Sequence, residues 1–278
     1  MSDTRTFIDL ALGRTHYRLA WRESANLVVL LHGFSVGSFV WKPLEARLAE
    51  AGYSTLLYDM FGHGFSDKPP LRYTREVFSQ QLAELLATLA PNARVHLVGW
   101  SMGTMVAVGC ALAQASAVGS VFMVSPSGLP IRMGVLGRLA LVPVIGDLGF
   151  SLVGAASLRA AQANFFHTGR APSAFLRAYD EQAAQPGFAR AMHSTLRCMK
   201  MDAFHADYAA LGQSGLPVEV VWARHDKATP FANRTDFLTL VPQAQITPLD
   251  GVGHASQFEA PDLVASFLVP WLARHLTA

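Results

Sequence analysis

Leu27-Val28-Val29-Leu30-Leu31 is an unbroken apolar run closed by His32-Gly33. A strand with one wet face alternates apolar and polar residues, whereas a run without alternation needs cover on both faces. Three later runs have the same character: residues 53–58 before Asp59, 95–98 before Gly99, and 121–124 before Ser125. Segments of helical period separate them, with 41–51 stopping at Gly52, 74–89 stopping before Pro91, and 102–115 rich in Ala and Met. Alternation of this kind predicts parallel βαβ units. Ahead of them, residues 6–12 and 15–21 flank Gly13-Arg14 and read as an antiparallel hairpin feeding the sheet.

After Ser125 the rhythm stops. Residues 129–211 offer no buried-strand run, only helix-compatible segments broken by Gly and Pro, of which 157–166 and 173–184 are the clearest. Buried-strand runs return at 216–223 and 243–249, and an amphipathic helix over 262–275 follows. The expected fold class is therefore α/β: a mostly parallel sheet of about eight strands flanked by helices, with an inserted helical cap. Its core would take residues 1–128 and 213–278, and the cap residues 129–212. With 51% hydrophobic and 15% charged residues among 278, the chain can fill a large core.

The same numbers narrow the partners. A net charge of +2 without a Lys/Arg cluster argues against nucleic acid. The two cysteines, Cys110 and Cys198, have no ligand-like neighbours and suit a reducing compartment, with Cys110 in the core. The opening MSDTRTFIDL lacks a basic segment followed by an apolar one, so no signal peptide is expected. Residues 139–158 are apolar but include Pro143, Asp147 and three glycines, a poor membrane span. The expectation is a cytoplasmic chain, monomeric or homodimeric, without stable membrane insertion, metal or cofactor.

Gly99-Trp100-Ser101-Met102-Gly103 fits G-x-S-x-G, a pattern too short to carry a function alone. Its setting adds the weight: a strand ends just before it and a helix begins just after. Glycines at both flanks permit strand and helix to approach closely, so Ser101 would project from a sharp turn at a helix N-terminus. A nucleophilic serine further needs a base, and a group to orient that base. Asp226 lies in the loop after the 216–223 strand, and His254 in the Gly-rich loop after 243–249. Both loops fall at the strand ends where parallel sheets place ligand sites. Asp59, Asp250, His225, His32 and His63 compete for such roles, but each reads more simply as a turn or loop residue.

Four motifs in order, His32-Gly33-Phe34, Gly99–Gly103, Asp226 with Pro230, and Gly253-His254 followed by Glu259 and Pro261, resemble the α/β-hydrolase superfamily over nearly the whole chain. The loop at residues 58–67 resembles that of its esterase, monoglyceride-lipase-like and carbon–carbon bond hydrolase branches. The resemblance implies Ser101 as nucleophile, His254 as base, Asp226 as its orienting acid, and backbone N–H groups of Phe34 and Met102 as an oxyanion hole. Phe34, Trp100 and Met102 are the expected substrate contacts, although Trp100 could instead shape the turn. Two departures stand out: Thr104 occupies a position where relatives commonly have glycine, and the oxyanion turn is His-Gly-Phe.

An apolar insert over 129–166, with Arg132, Arg138, Arg159 and Arg170 read as solvated, favours an apolar small-molecule ester. Hydrolysis of short-to-medium acyl or monoacylglycerol-like esters is the first expectation. Carbon–carbon bond hydrolysis of vinylogous diketones is the alternative, and a non-catalytic ligand receptor on the same fold is the second.

Overall fold

The computed structural model describes residues 5–22, 26–131, 134–142 and 145–275. Arg132 and Pro143 lie outside the described residues, as do the first four residues of the opening segment. Eight strands form one sheet in the order β1-β2-β4-β3-β5-β6-β7-β8. They are β1 (Thr6–Leu10), β2 (Gly13–Ala20), β3 (Asn26–Leu31), β4 (Thr55–Tyr58), β5 (Arg94–Trp100), β6 (Val118–Val124), β7 (Val218–Ala223) and β8 (Gln245–Leu249). The hairpin β1–β2 is antiparallel, β2 joins β4 antiparallel, and every later pairing is parallel.

Burial explains the sequence pattern. Every residue of β4, β6 and β7 is buried, as are the five apolar residues of β3, because helices cover both faces. Strand β8, at the sheet edge, is only partly covered. β5 runs on through Gly99 and Trp100, which pair with Met123 and Val124, so the strand carries the chain right to Ser101.

The helices flanking the first half of the sheet are α1 (Lys42–Glu50), α2 (Arg75–Leu89) and α3 (Met102–Ala113). Nearly all of α3 is buried, Cys110 included, and burial pushes that thiol up to about 12. Between β6 and β7 come α4 (Val135–Ala140), α5 (Ile145–Gly149), a π-helical turn (Phe150–Gly154), α6 (Ala155–Ala161), α7 (Ser173–Ala183), α8 (Phe188–Cys198) and α9 (His205–Gln213). Within this insert α9 behaves differently from the rest. It packs against α3 and, farther along the chain, against α10 (Arg234–Leu240), and Tyr208 on it sits edge-on to Phe237. Thus α9 flanks the sheet, and α4–α8 stand over the strand ends. The chain closes with α11 (Ser256–Glu259) and α12 (Pro261–His275), the latter against α1.

Candidate active site

The turn at Ser101 is built by close contact. Ser101 has φ 52° and ψ −122°, a conformation that costs a non-glycine residue energy and persists only where its surroundings impose it. They do so here. Ser101 N–H donates to Val124 O at 3.1 Å, and its own carbonyl accepts from Thr104 N at 3.0 Å and from Thr104 Oγ1 at 2.6 Å. A side chain at Gly103 would overlap the carbonyl oxygen of Leu31, and one at Gly99 would come within 2.7 Å of Gly103 O. Both glycines are therefore required by backbone crowding. Thr104 is accommodated because its hydroxyl closes this turn.

Asp226 and His254 meet. His254 Nδ1 lies 2.7 Å from Asp226 Oδ2, and the side chains are 1% and 0% exposed. The other carboxylate oxygen accepts the backbone N–H groups of Ala228 and Thr229, each at 2.8 Å. Burial pushes the Asp226 carboxyl up, but the charge and hydrogen bond of His254, the Thr229 N–H and the Ser125 hydroxyl outweigh it and hold it below its ordinary value. With Nδ1 committed to the carboxylate, Nε2 is the nitrogen left to take a proton.

The elbow and the imidazole are joined through Trp100. Its indole Nε1 donates to His254 O at 2.8 Å, and its ring lies 5.2 Å from the imidazole. Phe165, from the insert, lies at the same 5.2 Å from His254. Glu259 ties the histidine loop down, accepting from Gly253 N at 2.6 Å and from His167 N at 3.0 Å. The His-Gly-Phe turn passes beside the serine, since a Cβ on Gly33 would sit 3.2 Å from that of Ser101.

A cavity of about 630 Å³ lies under α4–α6, walled by Phe34, Phe150, Leu158 and Leu196 and by several glycines. Its polar lining among the described residues is Ser157 and Asn164, with no charged side chain. Of the three expected substrate contacts, Phe34 lines it. Trp100 and Met102 do not: both are fully buried, Trp100 beneath the imidazole and Met102 in the first turn of α3. The expectation for their side chains is corrected accordingly, because strand β5 and the elbow fold them inward.

The competing residues have structural partners. Asp59 accepts from His16 Nδ1 at 2.8 Å, Ser38 N at 2.6 Å and Phe65 N at 2.8 Å. Burial pushes its carboxyl up, yet His16, His32 and the Ser38 N–H hold it far below the carboxylate range. His32 bridges Gly33 O at 2.8 Å and Met60 N at 2.9 Å, joining two loops, and burial pushes its pKa below the ordinary value. His63 bonds Phe61 O at 3.0 Å, and Asp250 pairs with exposed Arg224. Arg159 pairs with Asp180 on the surface.

Three participants had no sequence signal. Thr229 Oγ1 lies 3.0 Å from Asp226 Oδ2, 3.3 Å from Ser125 O and 3.4 Å from His254 Nδ1. Ser125, at φ 45°, sits below it. Gln162, fully buried in the insert, donates to Ser35 Oγ at 3.2 Å beside Phe34. Only the adjacency of Thr229 to Pro230 in the Asp226 loop could have drawn attention to any of them.

The chain belongs to the alpha/beta hydrolase family, whose pattern matches residues 28–267. It is an enzyme of hydrolytic class. An uncharacterized protein of Mycobacterium tuberculosis is 26% identical over 270 residues, covering 91% of this chain and 78% of that one. A 2-hydroxy-6-oxononadienedioate/2-hydroxy-6-oxononatrienedioate hydrolase of Cupriavidus pinatubonensis is 25% identical, covering 92% and 91%. Among solved structures, an esterase from Exiguobacterium antarcticum superposes with a TM-score of 0.81 at 17% identity over 96% of this chain and 99% of that one, a likeness of fold. No helix among the described residues is long and apolar enough to cross a membrane.

Proposed function

We propose that the protein hydrolyses carboxylic esters whose acyl part is apolar and of short to medium length, monoacylglycerol-like esters included. The observation that carries this reading is the cavity bordered by Phe34, whose described lining is apolar and uncharged. Ser101 Oγ attacks the ester carbonyl while His254 Nε2 takes its proton. The tetrahedral oxyanion is held by the N–H groups of Phe34 and Met102, the second at a helix N-terminus. His254 then protonates the departing alkoxide, leaving an acyl-Ser101 ester. A water deprotonated by His254 attacks that ester, releasing the acid and restoring the serine. Asp226 holds the imidazole tautomer and stabilises the imidazolium in both halves.

Similarity to the Cupriavidus hydrolase supports carbon–carbon bond cleavage as a second reading. A dioate substrate carries carboxylates, however, and the described lining of the cavity includes no cation to pair with them. The test is a panel of p-nitrophenyl esters of increasing acyl length beside one dienoate ring-fission product, with Ser101→Ala as control. Turnover of the esters that disappears in Ser101→Ala supports the proposal. Preference for the dienoate, or ester turnover that survives in Ser101→Ala, overturns it, and tight ligand binding without turnover assigns a receptor instead.

A further inference from the structure

Two loops far apart in sequence, the His-Gly-Phe turn and the His254 loop, meet the same short piece of the insert. A 3₁₀ turn over Gln162–Phe165 leads there into Phe166 and His167. On one side the Phe165 carbonyl accepts from Ala255 N at 2.8 Å, and a Cβ on Gly253 would come within 2.5 Å of the same oxygen. On the other side Gln162 Nε2 donates to Ser35 Oγ. Residues three positions apart thus reach the loop of the base and the residue that follows Phe34.

Ser35 needs such a partner. Its φ of 63° lies in the left-handed region, which costs a residue with a side chain energy and persists only where neighbours impose it. Phe34, whose N–H is an oxyanion donor in the mechanism proposed above, is its immediate neighbour. Relaxation of the Ser35 backbone would move Phe34 and re-aim that N–H.

Gln162 is kept in place at a cost. It is fully buried, and its Oε1 has no hydrogen-bond partner among the described residues. A buried acceptor left unpaired is unfavourable. The amide cannot reverse, because its nitrogen also donates to Leu158 O at 2.8 Å, and a carbonyl only accepts. Both Nε2 hydrogens are therefore engaged, one fixing the amide to α6 and the other on Ser35.

We infer that Gln162 is a positioning residue, which acts through Ser35 to hold the Phe34 N–H toward the tetrahedral oxyanion. The inference rests on the serine-hydrolase mechanism proposed above, though not on which ester is cleaved. Removing an oxyanion donor outright lowers kcat by about a hundredfold to a thousandfold, so loosening one is expected to lower it about tenfold.

The experiment follows phosphylation of Ser101 by paraoxon, read by intact mass, beside steady-state hydrolysis of p-nitrophenyl butyrate. In the labelling, Ser101 Oγ displaces p-nitrophenolate from phosphorus, His254 takes the serine proton, and the phosphoryl oxygen occupies the oxyanion hole. Gln162→Leu preserves volume and removes the amide, while Ser35→Ala removes the acceptor from the other side. Each is expected to slow labelling and lower kcat about tenfold with KM unchanged, and the double variant to be no slower than either alone. In a Ser35→Gly background, where positive φ carries no steric penalty, the effect of Gln162→Leu is expected to shrink to less than about twofold. A merely structural role would lower the melting temperature and leave the labelling rate per folded molecule unchanged, which overturns the inference. So do additive losses in the double variant, a rise in KM alone, or an undiminished effect in the Ser35→Gly background. A wild type that paraoxon leaves unlabelled overturns it together with the nucleophilic role of Ser101. A wild type that is labelled but turns over no ester removes the ester reading alone, and the labelling rates then decide the inference.

Discussion

Trp100 and His254 are joined twice, by a 2.8 Å hydrogen bond from the indole to the histidine carbonyl and by ring contact at 5.2 Å. The residue preceding the serine thus braces the loop that bears the base, although 154 positions separate the two. Trp100→Phe keeps an aromatic ring but leaves the buried carbonyl of His254 without its donor. Loss of about 1–3 kcal/mol of stability is expected. A fall in kcat of roughly tenfold with little change in KM should accompany it, measured by thermal unfolding and steady-state kinetics.

Thr229→Val removes a hydroxyl from Asp226 Oδ2 while preserving shape. A carboxylate with one donor fewer is less stabilised in its charged form, so the Asp226 carboxyl moves up toward its ordinary value. The acid limb of the kcat/KM profile is expected to move to higher pH. A purely structural role for Thr229 would lower activity without moving that limb.

Gly103→Ala places a methyl group on the carbonyl oxygen of Leu31, which belongs to the sheet and cannot turn aside. A loss of roughly 3 kcal/mol is expected from overpacking against backbone. Chemical denaturation measures it, and activity per folded molecule should fall as well because the elbow must open.

Asp59 governs acid stability. Its folded carboxyl lies below the unfolded value near ~4, so its contribution is fully present above that pH. That contribution is lost as pH falls toward the folded value. Asp59→Asn is expected to be less stable at pH 7 by about 3 kcal/mol. Its stability should also decline less steeply than that of the wild type below pH 5, as urea denaturation at a series of pH values would register.

Strands covered on both faces announce themselves locally, which is why β3 and β6 were legible from residues 27–31 and 121–124. Ser101, Asp226 and His254 stood out as candidates for a related reason: each follows a strand run, buried in β5 and β7 and partly covered in β8, and the fold delivers such loops to one edge. The supporting hydrogen bonds did not. Thr229 reaches Ser125 across 104 positions and Gln162 reaches Ser35 across 127, separations that no short pattern encodes. Trp100 reads as a substrate contact until the continuation of β5 through Gly99 turns it inward. α9 has the same look as its neighbours in the insert, and only its packing on α3 sets it apart.

The insert departs from β6 and returns to β7, and these strands are hydrogen-bonded neighbours, Val121 facing Val218. Its two attachment points are therefore held by the sheet itself. Lengthening, shortening or exchanging α4–α8 shifts the register of no strand and moves neither Ser101 nor Asp226. Substrate range in this scaffold can consequently drift by insertion and deletion as well as by point substitution. An engineer grafting a different roof on residues 129–161 would keep Gln162, Phe165 and His167, which hold Ser35 and brace the His254 loop.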